Sequence, residues 1–207
     1  MKKQKQSLKK KIILGLTGSF GSGKTSVARI FRSYGAKIID ADKLAHQVIR
    51  PGENAYKGIV KIFGRQILKQ NKSIDRRKLA RIVFGDRKLL IKINRIMHPE
   101  IIRMIKKKIR TAPAKIVILD APLLIEAGLE TIVDKLIVVT LTQKKQIERI
   151  LKKHALKKSD IIKRIEAQMP LEKKVRLADF IIDNNGSVQA TKKQVQRIRR
   201  VLWKIQI

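Results

Sequence analysis

The 207-residue sequence contains no cysteine. That excludes a disulfide framework, a thiolate zinc site and a thiol nucleophile, so any metal has to be held by oxygen or imidazole ligands, for which magnesium is the natural candidate. Acidic residues are few: 16 Asp and Glu face 50 Lys and Arg, leaving a formal net charge of +34. Aromatic residues make up only 4% of the chain. No basic cluster is interleaved with them as single-strand nucleic-acid readers require, and no zinc-finger or RNP-type pattern occurs. Because the cations are spread along the whole sequence, the charge reads as a drift of overall composition. It attracts anionic substrates, and no specific nucleic-acid partner is expected. No stretch approaches the roughly 18 consecutive apolar residues of a membrane span, and the lysine-rich start lacks the apolar stretch of a secretory signal. A cytoplasmic protein without a membrane partner is expected.

What is present is enough apolar material, 43% of residues, for one sizeable core. Residues 1–10 are Lys, Gln and Ser around a single leucine and predict a mobile basic tail. The run Ile12-Ile13-Leu14-Gly15-Leu16-Thr17 is short, continuous and closed by glycine, as in a strand buried on both faces. Similar segments at 36–40, 115–120, 135–141 and 179–183, with helical patterns between them, predict an α/β fold with a five-stranded parallel sheet flanked by helices. The gap between the second and third strands far exceeds an ordinary crossover. Residues 41–114 therefore read as a helical insertion, with His98-Pro99 marking a kink or boundary. A charged helical pair over 143–169 suits a mobile lid. Residues 11–40, 115–142 and 170–207 remain for the nucleotide-binding core.

Gly18-Ser19-Phe20-Gly21-Ser22-Gly23-Lys24-Thr25 is a full match to G-x-x-x-x-G-K-[ST], placed directly after a predicted strand and before a helix. Glycines at these positions let successive N–H groups converge on phosphate oxygens, the following helix adds its positive end, and Lys24 adds a point charge. The Thr25 hydroxyl suits magnesium. The second strand ends in Ile39-Asp40-Ala41-Asp42, and carboxyl ends of parallel strands face the ligand crevice. Phosphoryl transfer to an alcohol uses one carboxylate to take the hydroxyl proton, for which Asp42 is the candidate, and another to steady magnesium. Asp40 suits the metal, or equally a helix cap. His46, one turn beyond Asp42, is either a contact of that site or a plain surface histidine. Ile116-Val117-Ile118-Leu119-Asp120 has the form of a Walker B strand, making Asp120 a second support for magnesium. Leu123 and Leu124 after it could hold an apolar part of an acceptor or pack against the inserted helices. Asn71-Lys72-Ser73-Ile74-Asp75 has one residue too many for the guanine-reading N-K-x-D and follows no clear strand, which argues against a GTPase.

Taken in order, GLTGSFGSGKT at 15–25, IDAD at 39–42, AHQV at 45–48, PG at 51–52 and HPEI at 98–101 resemble the dephospho-CoA kinase family. LDAPLLIEAGL at 119–129, QIER at 146–149, RIEAQM at 164–169 and IDNNG at 182–186 continue the resemblance, which covers nearly everything after the tail. It implies a P-loop kinase core, a helical CoA-binding domain and a lid, with ATP and Mg2+ serving phosphorylation of the 3′-hydroxyl of dephospho-CoA, the last step of coenzyme A synthesis. It further implies that Gly18 and the residues from Gly21 through Ser22, Gly23, Lys24, Thr25 and Ser26 bind ATP phosphates. Asp42 is then the base, and Thr17, His98, Leu123 and Glu126 face the acceptor. Arg149 approaches phosphates when the lid closes, and Asn184 or Asn185 lies near adenine. The sequence departs from the family pattern at Ser19 and Phe20, usually glycine and isoleucine. It departs again at Lys153-His154, usually arginine and aspartate, where a point charge replaces a bidentate one. Arg50 also stands where an acidic residue is common, in line with the basic drift.

Overall fold

The computed structural model describes residues 11–153 and 155–204. The expected basic tail and His154 lie outside the described residues. Strand β1 (Ile12–Gly18) forms where the apolar run predicts it. Its alternate residues are buried on opposite faces, so β1 needs neighbours on both edges and layers on both faces. It pairs in parallel with β3 (Ile116–Asp120) on one edge, from Ile12 opposite Ile116 to Leu16 opposite Asp120. On the other edge it pairs with β4 (Lys135–Thr140), from Leu14 opposite Lys135 to Gly18 opposite Val139. β5 (Phe180–Asp183) extends the sheet beyond β4, and β2 (Lys37–Asp40) lies beyond β3, giving the order β2-β3-β1-β4-β5. The connections thus leave β1 in opposite directions, the arrangement that opens a ligand crevice at the carboxyl ends of the strands.

Two units divide the described chain, one from residues 11–39 with the described residues from 112 onward and one from residues 40–111. In the first, α1 (Lys24–Ser33) and α9 (Val188–Lys204) cover one face of the sheet, where Leu14 and Leu16 meet Val27, Phe31, Val195 and Ile198. The other face packs so closely that a Cβ on Gly15 would stand 2.8 Å from Leu124 Cδ1. α6 (Gln143–Lys153), α7 (Lys158–Glu166) and α8 (Leu171–Arg176) occupy the stretch between β4 and β5.

The second unit is built from α2 (Ala41–Gln47), α3 (Asn54–Phe63), α4 (Arg76–Phe84) and α5 (Arg87–Thr111) around Ile59, Phe63, Ile67, Leu79 and Ile93. Helix α5 packs on the other three. It runs unbroken through Pro99, so His98-Pro99 is not an element boundary. Apolar contacts of Ile96, Met97, Ile101 and Met104 with the unit's core hold both sides of the proline in one helix, offsetting the one hydrogen bond that proline cannot donate. The segment Asn71 to Asp75 is a turn and a cap. Asn71 Oδ1 accepts from Ser73 N–H and Oγ–H, Lys72 takes φ 60°, and Asp75 Oδ1 accepts from the N–H groups of Arg77 and Lys78 at the start of α4.

Candidate active site

The loop between β1 and α1 is shaped by glycines that no other residue could replace without movement. Gly18, Gly21 and Gly23 have φ of 148°, 79° and 94°, a region that side chains disfavour. A Cβ on Gly18 would lie 2.4 Å from the Val139 carbonyl oxygen, and one on Gly23 would lie 2.1 Å from Asn184 Nδ2. Ser22 N–H donates to Ser19 O at 3.1 Å, and Ser26 N–H to Gly23 O at 2.9 Å. Among the described residues, no protein acceptor takes the N–H of Gly21 or Gly23. Ser22 Oγ is buried at 1% exposure and has no hydrogen-bond partner there. Lys24 Nζ folds over the loop to the carbonyl oxygens of Gly18 at 3.0 Å and Ser19 at 3.4 Å. Thr25 and Ser26 are exposed on the first turn of α1, which carries no acidic residue. Converging N–H donors, an orphaned buried hydroxyl and a helix amino end form a cradle that fits an oligophosphate.

Side chains from distant parts of the first unit hold this loop. Gln146 Nε2 on α6 donates to the Phe20 carbonyl, and Gln168 Oε1 accepts from Phe20 N–H at 2.7 Å. The Arg164 guanidinium carbon lies 5.6 Å from the centre of the Phe20 ring, and Ile150 of α6 fills the space beside Gly21. Asn184 Nδ2 donates to the Ser22 carbonyl at 2.8 Å, while Asn184 Oδ1 accepts from Thr191 Oγ at 2.9 Å. Arg149 Nη2 donates to the Asn184 carbonyl at 3.0 Å, which sets its guanidinium beside Gly23. Asn185 serves the strand ends, accepting from Thr142 N–H at 3.0 Å and donating from Nδ2 to Asp183 Oδ1 at 2.6 Å. Asp120 closes β3 beside Leu16, half-buried.

A second polar cluster lies under the turn that follows β3. Thr17, fully buried, donates to the Pro122 carbonyl at 3.0 Å, and the same oxygen accepts from Lys174 Nζ at 2.9 Å. Lys174, on α8, is 0% exposed and pairs with Glu126 Oε1 at 2.8 Å; that oxygen also accepts from Met169 N–H at 2.9 Å. Burial pushes the Glu126 carboxyl up, but the hydrogen bonds from Lys174, Met169 N–H and its own N–H outweigh it and hold the group below its ordinary 4.5. Leu124 is fully buried while its neighbour Leu123 is 48% exposed. Only Leu123 of that pair can therefore touch a ligand from solution.

The remaining candidates belong to the second unit. Asp40 caps α2, its Oδ1 accepting from Lys43 N–H at 2.9 Å with Lys43 Nζ 3.5 Å from Oδ2. Asp42 is exposed on the first turn of that helix, His46 is exposed on its last, and His98 is half-buried within α5. Among the described residues no group of three or more His, Asp or Glu could hold a metal by itself. Magnesium does not need such a cage, since it keeps several waters and binds through one or two protein oxygens plus phosphates. Sequence reasoning gave no role to Gln146, Gln168, Lys174 or Thr191. For Lys174 a signal existed, because it falls at helix spacing with Leu171 and Val175 on the inward face of α8.

A parallel sheet whose central strand feeds a glycine-shaped phosphate cradle and the amino end of α1 defines a P-loop kinase fold. The family model for dephospho-CoA kinase matches residues 12–190. Dephospho-CoA kinase from Carboxydothermus hydrogenoformans is 42% identical over 196 residues, covering 93% of this chain and 95% of that protein. The Bacillus licheniformis enzyme of the same name is 40% identical, covering 90% and 94%. The chain belongs to the dephospho-CoA kinase family. Among solved structures, one from Thermus thermophilus superposes with a TM-score of 0.83 at 31% identity, covering 95% of this chain and 98% of that one. Dephospho-CoA kinase from Campylobacter jejuni gives 0.70 at 26% identity, covering 94% and 98%. Shikimate kinase from Acinetobacter baumannii, at 12% identity and a TM-score of 0.55, shares the fold alone, with 96% of each chain covered.

Proposed function

We propose that this protein uses ATP to phosphorylate the 3′-hydroxyl of dephospho-CoA, yielding CoA and ADP as the last step of coenzyme A synthesis. The observation that carries the reading is the loop with unspent N–H groups at Gly21 and Gly23 and the orphaned Ser22 hydroxyl, in a chain of this family. ATP supplies the phosphoryl group. The chain supplies position and charge: Gly18, Gly21, Ser22 and Gly23 line the phosphates with backbone, and Lys24 gives its ammonium. Thr25 and Ser26 present hydroxyls at the positive end of α1, and Arg149 adds charge beside Gly23. With Mg2+ as the counterion, Thr25 would hold it directly, with Asp120 and Asp40 acting through water. Asp42 is the group proposed to orient the acceptor hydroxyl and take its proton. Thr17, His98, Leu123 and Glu126 are proposed to face the acceptor, and Asn184 and Asn185 the adenine side. Residues 41–114 are the proposed CoA-binding insertion and 143–169 the proposed lid, so α6 and α7 already touch the loop they would close over.

A coupled ADP-release assay comparing dephospho-CoA with AMP, adenosine and pantetheine phosphate tests the reading, with CoA identified by mass. Strong turnover on dephospho-CoA alone is expected. Preference for AMP or adenosine would replace it with a nucleotide or nucleoside kinase.

A further inference from the structure

The phosphate-facing direction of the loop's N–H groups is set outside the loop. In a trans peptide the C=O of one residue and the N–H of the next lie in one plane and point opposite ways. No peptide among the described residues is cis. Whatever holds the Phe20 carbonyl therefore aims the Gly21 N–H, and whatever holds the Ser22 carbonyl aims the Gly23 N–H. The holders are Gln146 Nε2 and Asn184 Nδ2. Both side chains are buried, at 3% and 7% exposure, and come from separate elements, α6 and the end of β5. Neither the Gly21 nor the Gly23 N–H finds a protein acceptor among the described residues. Both take positive φ, so their peptide planes lack the steric preferences that fix other residues and need an external hold.

Resting on the reading of this loop as the ATP phosphate site, we propose that Gln146 and Asn184 are positioning residues. They draw two loop carbonyls away from the phosphates and thereby present the Gly21 and Gly23 N–H groups to them. A carbonyl turned the other way would replace an attractive donor with a repelling oxygen at each place. Asn184 is itself fixed by Thr191 Oγ, and Gln146 by its burial beside Ile150 on the inward side of α6.

The test is Gln146→Glu, which keeps the shape and turns the donor into an acceptor facing the Phe20 carbonyl. ADP affinity by calorimetry at pH 8 should fall about 10- to 100-fold, the scale of one hydrogen bond to a charged group. Burial raises the carboxyl's pKa, and once protonated it can donate again. The loss relative to native protein should therefore shrink as pH is lowered toward about 5.5, with KM for dephospho-CoA within about two-fold throughout, since one hydrogen bond far from the acceptor carries little of its binding. Gln146→Met has no proton to regain and should show the loss without the recovery. A merely structural role would lower melting temperature and nucleotide affinity together, with no pH-dependent return. Native ADP affinity in Gln146→Glu at pH 8, or a loss that does not recover in acid, overturns the proposal. Failure of the kinase reading would show separately, as native protein that binds ADP yet does not turn over dephospho-CoA.

Discussion

Lys174→Met removes a fully buried ammonium from its ion pair with the partly exposed Glu126 while keeping most of the side chain's apolar stem. Breaking such a pair costs about 3–5 kcal/mol when the charge left behind is shut away from water. Here the stranded group is Glu126, whose side chain is 22% exposed and keeps the Met169 N–H. Methionine also refills the stem's volume. The expected cost is therefore lower, about 2 kcal/mol, and for a chain of this length that lowers Tm by about 4–8 °C. Glu126→Leu should cost more, because the charge it strands, Lys174, is 0% exposed. The double variant should cost less than the sum of the two. The pH dependence has a definite sign. Glu126 is held below its ordinary 4.5 in the folded protein, so its contribution is fully present above that value and is lost as pH falls through the lower folded value. Thermal and urea unfolding of native and Lys174→Met protein should show the full gap at pH 7 and a narrowing gap below about pH 4. A Tm within about 1 °C of native at pH 7 would refute the reasoning, since it would mean that the pair and its desolvation cancel.

Two further outcomes concern the reaction. Lys24→Ala should reduce turnover at least about 100-fold and weaken ADP binding in calorimetry, with an unchanged circular dichroism spectrum, because the hydrogen bonds from Nζ to Gly18 and Ser19 are local to the loop. Asp42→Asn should lower kcat about 10²- to 10³-fold in the coupled assay with little change in KM for ATP, since phosphoryl transfer needs limited proton movement early. Asp40→Asn keeps the helix cap, and any loss it causes should ease as magnesium is raised if that carboxylate serves the metal.

The three central strands were legible because each carries a short continuous apolar run, as a parallel strand buried on both faces needs, whereas β2 and β5 at the edges of the sheet offer only Ile38-Ile39 and Phe180 to Ile182. The phosphate loop was legible because its backbone conformations demand glycine at fixed spacing, with Gly18, Gly21 and Gly23 all at positive φ. Other features depend on which residues meet in space. Nothing in the local pattern separates Leu123 from Leu124, yet one is exposed and the other buried against Gly15. Pro99 reads as a break in any isolated helix, and only the packing of both halves of α5 into one core overrides that. Gln146 looks like an ordinary member of a charged surface helix, and the spacing that turns Lys174 inward does not say what it meets there. Their roles come from partners at Phe20, Pro122 and Glu126, far away along the chain.

Those separations bear on how the protein is made. The phosphate loop leaves the ribosome early, within the first strand and helix. Its holders arrive late, since Phe20 meets Gln146 and Gln168 across 126 and 148 residues, and Ser22 meets Asn184 across 162. A nascent chain stopped after Thr140 would carry the whole loop sequence and none of the three side chains that shape it. If those side chains orient the loop as proposed, the loop reaches its phosphate-binding shape only near the end of synthesis, when α6, α7 and β5 have emerged and closed long-range contacts of the slow-forming kind.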